Sequence, residues 1–227
     1  MTTRTEDHRV RTSRLRRERM EARLLQAVTE CYGERALDAP PTVEEVVRRT
    51  GVSRQTFYNY FQSIDEAIEK RASELVDDMI RSLQRMVPDD EAPIRQFTVS
   101  LRLFLARSAI DPVWGAFAAR SNLMDADGEL FRGMARHLTM AQAEGELSYA
   151  DREAAMILAV GTMREAIRSV SRQPANREGL IDALTVMILI GVGSTRSKAE
   201  RHLMRAKGFI AEIAPGRLEW WASDASD

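Results

Sequence analysis

Six of the seven side chains from Arg54 to Tyr60 can make hydrogen bonds, and the exception is Phe57. In a helix Phe57 and Phe61 share one face and leave Arg54, Gln55, Thr56, Tyr58, Asn59 and Tyr60 for the others. Arg54 can donate twice to the edge of guanine, and Gln55 or Asn59 can pair with adenine; each such contact discriminates bases by ~1–3 kcal/mol. The hydroxyls of Tyr58 and Tyr60 suit flanking phosphates, contacts that set register without reading sequence. The chemistry on offer is recognition of base edges in a DNA groove.

Presenting such a face requires short helices with sharp ends. Thr42-Val43-Glu44-Glu45 has the Thr-x-x-Glu spacing of a capping box, in which hydroxyl and carboxylate satisfy orphan amides at a helix start. Gly51 suits the left-handed conformation that ends a helix, Val52 can bury in the turn, and Ser53 caps the next helix. The spacing predicts helices over 43–50 and 54–60, a helix-turn-helix whose second helix can enter the major groove. Ser63 with Glu66 repeats the capping box and starts a fourth helix, whose positive end also faces phosphate. The candidate DNA-contacting residues are Thr42, Ser53, Arg54, Gln55, Thr56, Tyr58, Asn59 and Tyr60.

These residues carry a resemblance. Thr42-Val43-Glu44-Glu45-Val46-Val47, Gly51-Val52-Ser53, Thr56-Phe57-Tyr58, Tyr60-Phe61 and Ser63 with Asp65-Glu66 resemble the signature of the TetR (tetracycline-repressor-like) family of bacterial transcriptional regulators. The likeness covers roughly residues 20–70 and implies a three-helix DNA-binding domain followed by a helical ligand-binding and dimerisation domain. Two departures stand out. Gln55 replaces the small residue common before the Thr, and Ile64 replaces the Lys usual after the Ser that opens the fourth helix, which removes one phosphate contact.

Helical periodicity dominates the rest of the 227 residues, with no run of alternating β-branched residues. The expected fold is all-α, about nine or ten helices, divided into a DNA-binding domain with a basic arm (1–64) and a larger helical-bundle domain (65–227). Leu24, Val28, Cys31 and Tyr32 mark one face of a first helix from about Ser13 to Glu34, and the fourth runs from Ile64 to Met86. Later helices are predicted at roughly 91–108, 111–122, 127–144, 151–172, 177–194 and 197–212. Pro215-Gly216 places Ile213–Asp227 in a tail.

A net charge of −1 conceals an uneven distribution. Met1–Phe61 holds 12 Arg against 9 Asp or Glu, a net of +3, and the remainder carries −4. No apolar stretch approaches the ~20 residues of a membrane span. The N-terminal residues do not read as a secretory signal and Cys31 has no disulfide partner, so a cytoplasmic protein is expected. Enzyme signatures are missing. His8, His137 and His202 are scattered without metal-ligand spacing, Gly191-Val192-Gly193 lacks a third glycine, and Cys31 sits on an apolar stripe. No catalytic residue, metal or cofactor is expected.

The second half is rich in adaptable thioethers and aromatics. Met86, Phe97, Leu101, Phe104, Trp114, Phe117, Arg120, Met134, Leu138 and Met163 are candidate ligand-binding residues, with Asn122 and Arg164 as further polar candidates. The resemblance implies a small-molecule effector, and the composition suggests a largely apolar one. Met156, Val160, Met163, Ile167 and Val170, with Leu180, Leu184, Met187, Ile188 and Gly191, form faces suited to a homodimer through the helices at 151–172 and 177–194, and Ala155, Ala159 and Ala166 leave room for close approach. A dimer implies a palindromic operator. The combined expectation is a ligand-responsive regulator, most simply a repressor; the alternative is an architectural or adaptor DNA-binding protein of the same fold working through protein partners. Trp220-Trp221 is expected to pack on its own domain.

The N-terminal arm carries Arg4, Arg9 and Arg11 against Glu6 and Asp7. Deleting residues 1–12 is expected to weaken operator binding and flatten its salt dependence, since each lost phosphate contact removes about 0.9 from the log–log slope. A salt titration with an unchanged slope would sink a role for the arm.

Overall fold

No Gly or Pro interrupts the sequence before Gly33, and a single helix, α1, runs from Thr3 to Gly33. This corrects the expected start near Ser13. Apolar periodicity begins late, but exposed turns persist on charge pairs such as Arg14 with Glu18, 2.8 Å apart at i,i+4. The structure, a computed structural model, describes residues 3–34, 39–88, 90–121, 128–172 and 177–221, with side chains from residue 11 onward. The side chains of Arg4, Glu6, Asp7, His8 and Arg9, and the whole of Asn122, lie outside the described residues. Ten helices and no strands occur among those described.

Two compact units, Met1–Arg71 and Ala72–Asp227, divide inside α4. The first holds α1, α2 (Val43–Thr50), α3 (Arg54–Tyr58) and the opening turns of α4 (Ile64–Met86). Its core is Leu24, Leu25, Val28, Val46, Phe57, Phe61 and Ala67, none more than 2% exposed. Polar contacts cross the same helices. Arg49 of α2 bonds Glu30 at 3.1 Å and also Glu34, Lys70 pairs with Glu21, and the Arg71 Nε donates to Thr29 Oγ1 at 2.9 Å.

The second unit is organised around α5 (Pro93–Ile110), which touches α6 (Pro112–Arg120), α7 (Glu129–Ala143), α8 (Arg152–Arg172), α9 (Arg177–Gly191) and α10 (Arg196–Arg217). Burial all round explains its run of Val99, Leu101, Leu103, Phe104 and Leu105. Arg102, also buried, donates to Asp182 Oδ1 at 2.6 Å and Glu178 Oε1 at 2.8 Å on α9. Lys207 of α10 reaches the same two carboxylates, so four charges tie three helices together.

Two expectations are corrected by the second unit. α10 passes through Pro215 and ends at Arg217, where a tail was expected from Ile213. A proline in the last turn removes one hydrogen bond, and the helix is held beyond it by buried Ala214 and Leu218 and by the Arg217 Nη1 bond to the Arg85 carbonyl at 2.9 Å. Trp220 comes next, donating from Nε1 to Ser82 Oγ at 3.2 Å and stacking on Arg107 at 4.6 Å.

The second correction concerns the apolar face of α8; on α9 only Ile188 of the expected face is buried, and Leu180, Leu184, Met187 and Gly191 are not. Met156, Met163, Ile167, Val170 and Ile188 are buried within the unit, as are Ala155, Ala159 and Ala166, so those alanines admit neighbours of the same chain. α8 is apolar on two sides, and the side facing solvent carries Ile157 (67% exposed) and Leu158 (38%). Leu158 lies against Gly191, one turn beyond Met187, which is 65% exposed.

At the α9–α10 junction Gly193 has φ +93°, and a Cβ there would stand 1.9 Å from the Ser148 carbonyl oxygen. Gly193→Ala is therefore expected to destabilise the second unit by about 3 kcal/mol. Chemical denaturation followed by circular dichroism checks this, and a midpoint within error of wild type would refute it.

Candidate nucleic-acid interface and ligand cavity

The turn between α2 and α3 is built by local chemistry. The Thr42 backbone amide donates to Glu45 Oε2 at 2.7 Å and the Glu45 amide to Thr42 Oγ1 at 3.4 Å, completing the capping box. Acidic Glu44 and Glu45 open α2 and basic Arg48 and Arg49 close it, each complementing the helix dipole. Gly51 adopts φ 67°, ψ 25°, and its amide bonds back to the Val47 carbonyl. Ser53 Oγ then accepts from the Thr56 amide at 3.0 Å and starts α3.

α3 is regular only to Tyr58, shorter than the expected 54–60, because it turns at Asn59. Amides of Tyr60 and Phe61 still bond to the Phe57 carbonyl at 2.9 and 3.1 Å, so the segment stays compact. Phe57 and Phe61 are buried with rings 5.5 Å apart, and Tyr58 meets the edge of Phe57 at 5.7 Å. Thr42, Ser53, Arg54, Gln55, Tyr58 and Asn59 are exposed, and Thr56 and Tyr60 are half-buried.

Four of these side chains have partners that the sequence did not suggest. Arg54 forms an exposed ion pair with Glu44, Gln55 donates to Asn59 Oδ1 at 3.2 Å, and Arg17 of α1 stacks on the Tyr60 ring at 5.5 Å. Exposed ion pairs contribute only ~0–1 kcal/mol, so Arg54 can exchange Glu44 for another acceptor at little cost.

In the second unit α4, α5 and α7 line a partly open cavity of about 480 Å³. Such a volume suits a small organic ligand. Ile80, Leu83 and Gln84 line it from α4, Gln96, Phe97, Ser100 and Phe104 from α5, and Leu130, Gly133, Met134 and His137 from α7. Glu129, Arg132 and Arg136 stand at its α7 side. Burial, reinforced by Arg136, pushes the His137 pKa down to about 4, so the ring is neutral at physiological pH.

Of the residues considered for ligand binding, Phe97, Phe104 and Met134 come together on this wall. Met86, Leu101, Trp114, Phe117, Leu138 and Met163 are buried in the packing of the unit but not on the cavity wall, half-buried Arg120 closes α6, and Arg164 is exposed on α8. Sequence reasoning missed Gln96, Ser100, Gly133 and His137. The only signal was the i,i+4 spacing of Gln96 and Ser100, which Thr98, Arg102 and Ser108 on the same helix obscure. Among the described residues no three His, Cys, Asp or Glu side chains group as a metal site, and no helix is long and apolar enough to cross a membrane. Burial raises the Cys31 thiol above its ordinary pKa, against the pull of Arg49, which makes it a poor nucleophile.

Residues 24–69 match the model of the bacterial regulatory proteins of the tetR family. Among solved structures, RolR in complex with its ligand resorcinol is similar at a TM-score of 0.61 and 21% identity, covering 84% of this chain and 96% of that one. A TetR-like transcriptional regulator from Rhodococcus sp. RHA1 gives 0.57 and 16%, covering 81% and 95%. The ketosteroid transcriptional regulator KstR2 of Mycobacterium tuberculosis gives 0.56 and 14%, covering 78% and 96%. At these identities the likeness is one of fold. No curated protein matches the sequence. Motif, helix-turn-helix geometry and family model fall on the same residues, and residues 24–69 match the DNA-binding region of the tetR family of bacterial regulatory proteins.

Proposed function

We propose that the protein is a cytoplasmic, ligand-responsive transcriptional regulator that binds a palindromic operator as a homodimer and acts as a repressor released by a small effector. The observation that carries the reading is the outer surface of α3, where Arg54, Gln55 and Asn59 stand exposed on a turn fixed by Phe57 and Phe61. Arg54 reads guanine, Gln55 or Asn59 reads adenine, and Ser53, Thr56, Tyr58, Tyr60 and the Thr42 cap approach the backbone. The apolar patch of Ile157, Leu158, Met187 and Gly191 supports dimerisation through α8 and α9, since large exposed apolar side chains at one place mark an interface.

The cavity supplies the effector site. α4 contributes Ile80, Leu83 and Gln84 to its wall and continues unbroken back to Ile64. A ligand that favours one position of α4 shifts DNA affinity, whereas a ligand with equal affinity for both states shifts nothing. RolR, solved with resorcinol, supports a small-molecule site on this fold. The cavity favours this reading over an architectural protein without a ligand.

Selection of bound duplexes from a random library tests the reading directly: it should return a palindrome with half-site centres about 34 Å or a multiple apart. A non-palindromic or sequence-blind result would count against it. Arg54→Ala is expected to cost ~1–3 kcal/mol and relax one base position per half-site. Glu44→Gln, which frees Arg54 and removes a negative charge near phosphate, should tighten binding. Retained selectivity in Arg54→Ala would remove Arg54 from the readout.

For the dimer, Met187→Glu and Ile157→Glu should each yield monomers by light scattering and lower operator affinity by at least about tenfold, through loss of the second half-site. A dimeric mass for both variants would place the interface elsewhere.

A further inference from the structure

We propose that residues 217–221 form a strap that restrains α4 from the side opposite the cavity, so that the C-terminal segment sets how readily cavity occupancy displaces α4. The inference rests on α4 linking the cavity to DNA affinity and adds the element that opposes an effector.

Contacts run from the strap to α4 and to a residue paired with α4. Where α10 ends, Leu218 is buried and the Trp221 amide donates to its carbonyl at 3.1 Å, closing a turn around Glu219 and Trp220. Trp220 donates from Nε1 to Ser82 Oγ at 3.2 Å. Arg217 Nη1 donates at 2.9 Å to the Arg85 carbonyl, one of those that a helix C-terminus leaves without a partner inside the helix. Trp220 also stacks on Arg107 of α5 at 4.6 Å, and that guanidinium lies over Trp114 of α6 at 5.5 Å and pairs with Asp78 of α4 at 3.3 Å. Ser82 is 3% exposed and the Arg107 side chain 11%, so water screens these contacts little. A shift of α4 parts Ser82 from Trp220 and Asp78 from Arg107 together, and buried polar groups deprived of partners are costly.

Position around the helix supplies the opposition. Asp78 and Ser82 lie one turn apart on α4, whereas Ile80, Leu83 and Gln84, which line the cavity, project from nearly the opposite side at about 3.6 residues per turn. A ligand pressing on Ile80 and Leu83 therefore drives α4 toward the strap. A second line of contact runs through α5: Phe104 borders the cavity and its ring meets Trp114 at 6.2 Å, against the same Arg107. Both lines end at the stack of Arg107 on Trp220. A repressor released by its effector binds the operator with the cavity unfilled, so a strap that resists displacement of α4 favours the operator-binding form.

Hydrogen–deuterium exchange of the full-length protein without DNA tests the restraint, and operator titration tests its effect. Trp220→Ala is expected to lower the protection of amides from Asp78 to Met86 about tenfold while those of α8 stay as in wild type. Trp220→Phe, which keeps a ring over Arg107 and loses the bond to Ser82, should fall between the two and covers the case in which the alanine variant fails to fold. On the duplex returned by selection, Trp220→Ala should bind about fivefold more weakly with its light-scattering mass unchanged. Unchanged protection of α4 in both variants would overturn the strap, and so would protection lost equally from α8 and α9, which marks general destabilisation. A loosened α4 with unaltered operator affinity would overturn its regulatory role. A wild-type chain that selects no operator would instead overturn the reading on which the inference rests, and the two failures are thereby distinct.

Discussion

Everything on the outward face of α3 depends on the burial of Phe57 and Phe61. A helix of five residues has no stability of its own, because nucleation costs more than so few hydrogen bonds return. Two phenylalanines at 0% and 2% exposure contribute roughly 1.5–3 kcal/mol each, which is what holds the segment against the core of α1 and α2. The left-handed Gly51 sets the direction in which the chain leaves α2, and the Ser53 cap sets where helical geometry resumes. Because Phe57 is fixed, Arg54, Gln55, Tyr58 and Asn59 are fixed in rotation about the helix axis. The exposed face of α3 is the complement of a packing decision.

The second unit solves a different problem. α5 is surrounded by helices, so every polar group on it must find a partner inside the fold. Thr98 and Ser108 bond to carbonyls three or four residues back on their own helix, at 2.7 Å each. Arg102 cannot be satisfied locally and is met by Glu178 and Asp182 across from it, with Lys207 balancing the second carboxylate charge. Such a network adds little net stability, since desolvation offsets attraction, but it tolerates only one alignment of α5, α9 and α10. Ser100 bonds to the Gln96 carbonyl in the same local manner, whereas the Gln96 side chain reaches back to the Pro88 and Glu91 carbonyls ahead of α5.

What the sequence made legible depends on the range of the interactions involved. Caps, the αL glycine and the four-residue spacing of Phe57 and Phe61 act within a few residues, so the helix-turn-helix could be read off directly. The full extent of α1 and the passage of α10 through Pro215 depend on contacts made elsewhere. Leu218 and Arg217 anchor the last turn by packing and by a bond to a residue 132 positions away. The faces of α8 were misassigned because an apolar stripe says that something covers it, not whether the cover is the same chain. The cavity wall was hidden for a related reason. Met86, Leu101 and Phe117 are as apolar as Phe97 and Phe104, and only the relative rotation of α4, α5 and α7 decides which of them border empty space.

The charge distribution acquires a mechanical meaning once partners are known. Several basic residues of the first unit are structural: Arg49 is held by Glu30 and Glu34, Lys70 by Glu21, and Arg23 by the carbonyl of Thr50 at the end of α2. These cations close helix ends and bridge helices, so they add less to attraction for phosphate than their number suggests. A net of +3 over Met1–Phe61 is thus close to the effective charge as well as the formal one. A surface with so little excess charge gains only modest affinity for a polyanion from counterion release, so the proposed operator binding would draw more on contacts to the bases. Arg54, held in an exposed pair with Glu44, fits that economy: its partner can be exchanged for another acceptor without the cost of stripping a charge from a buried site.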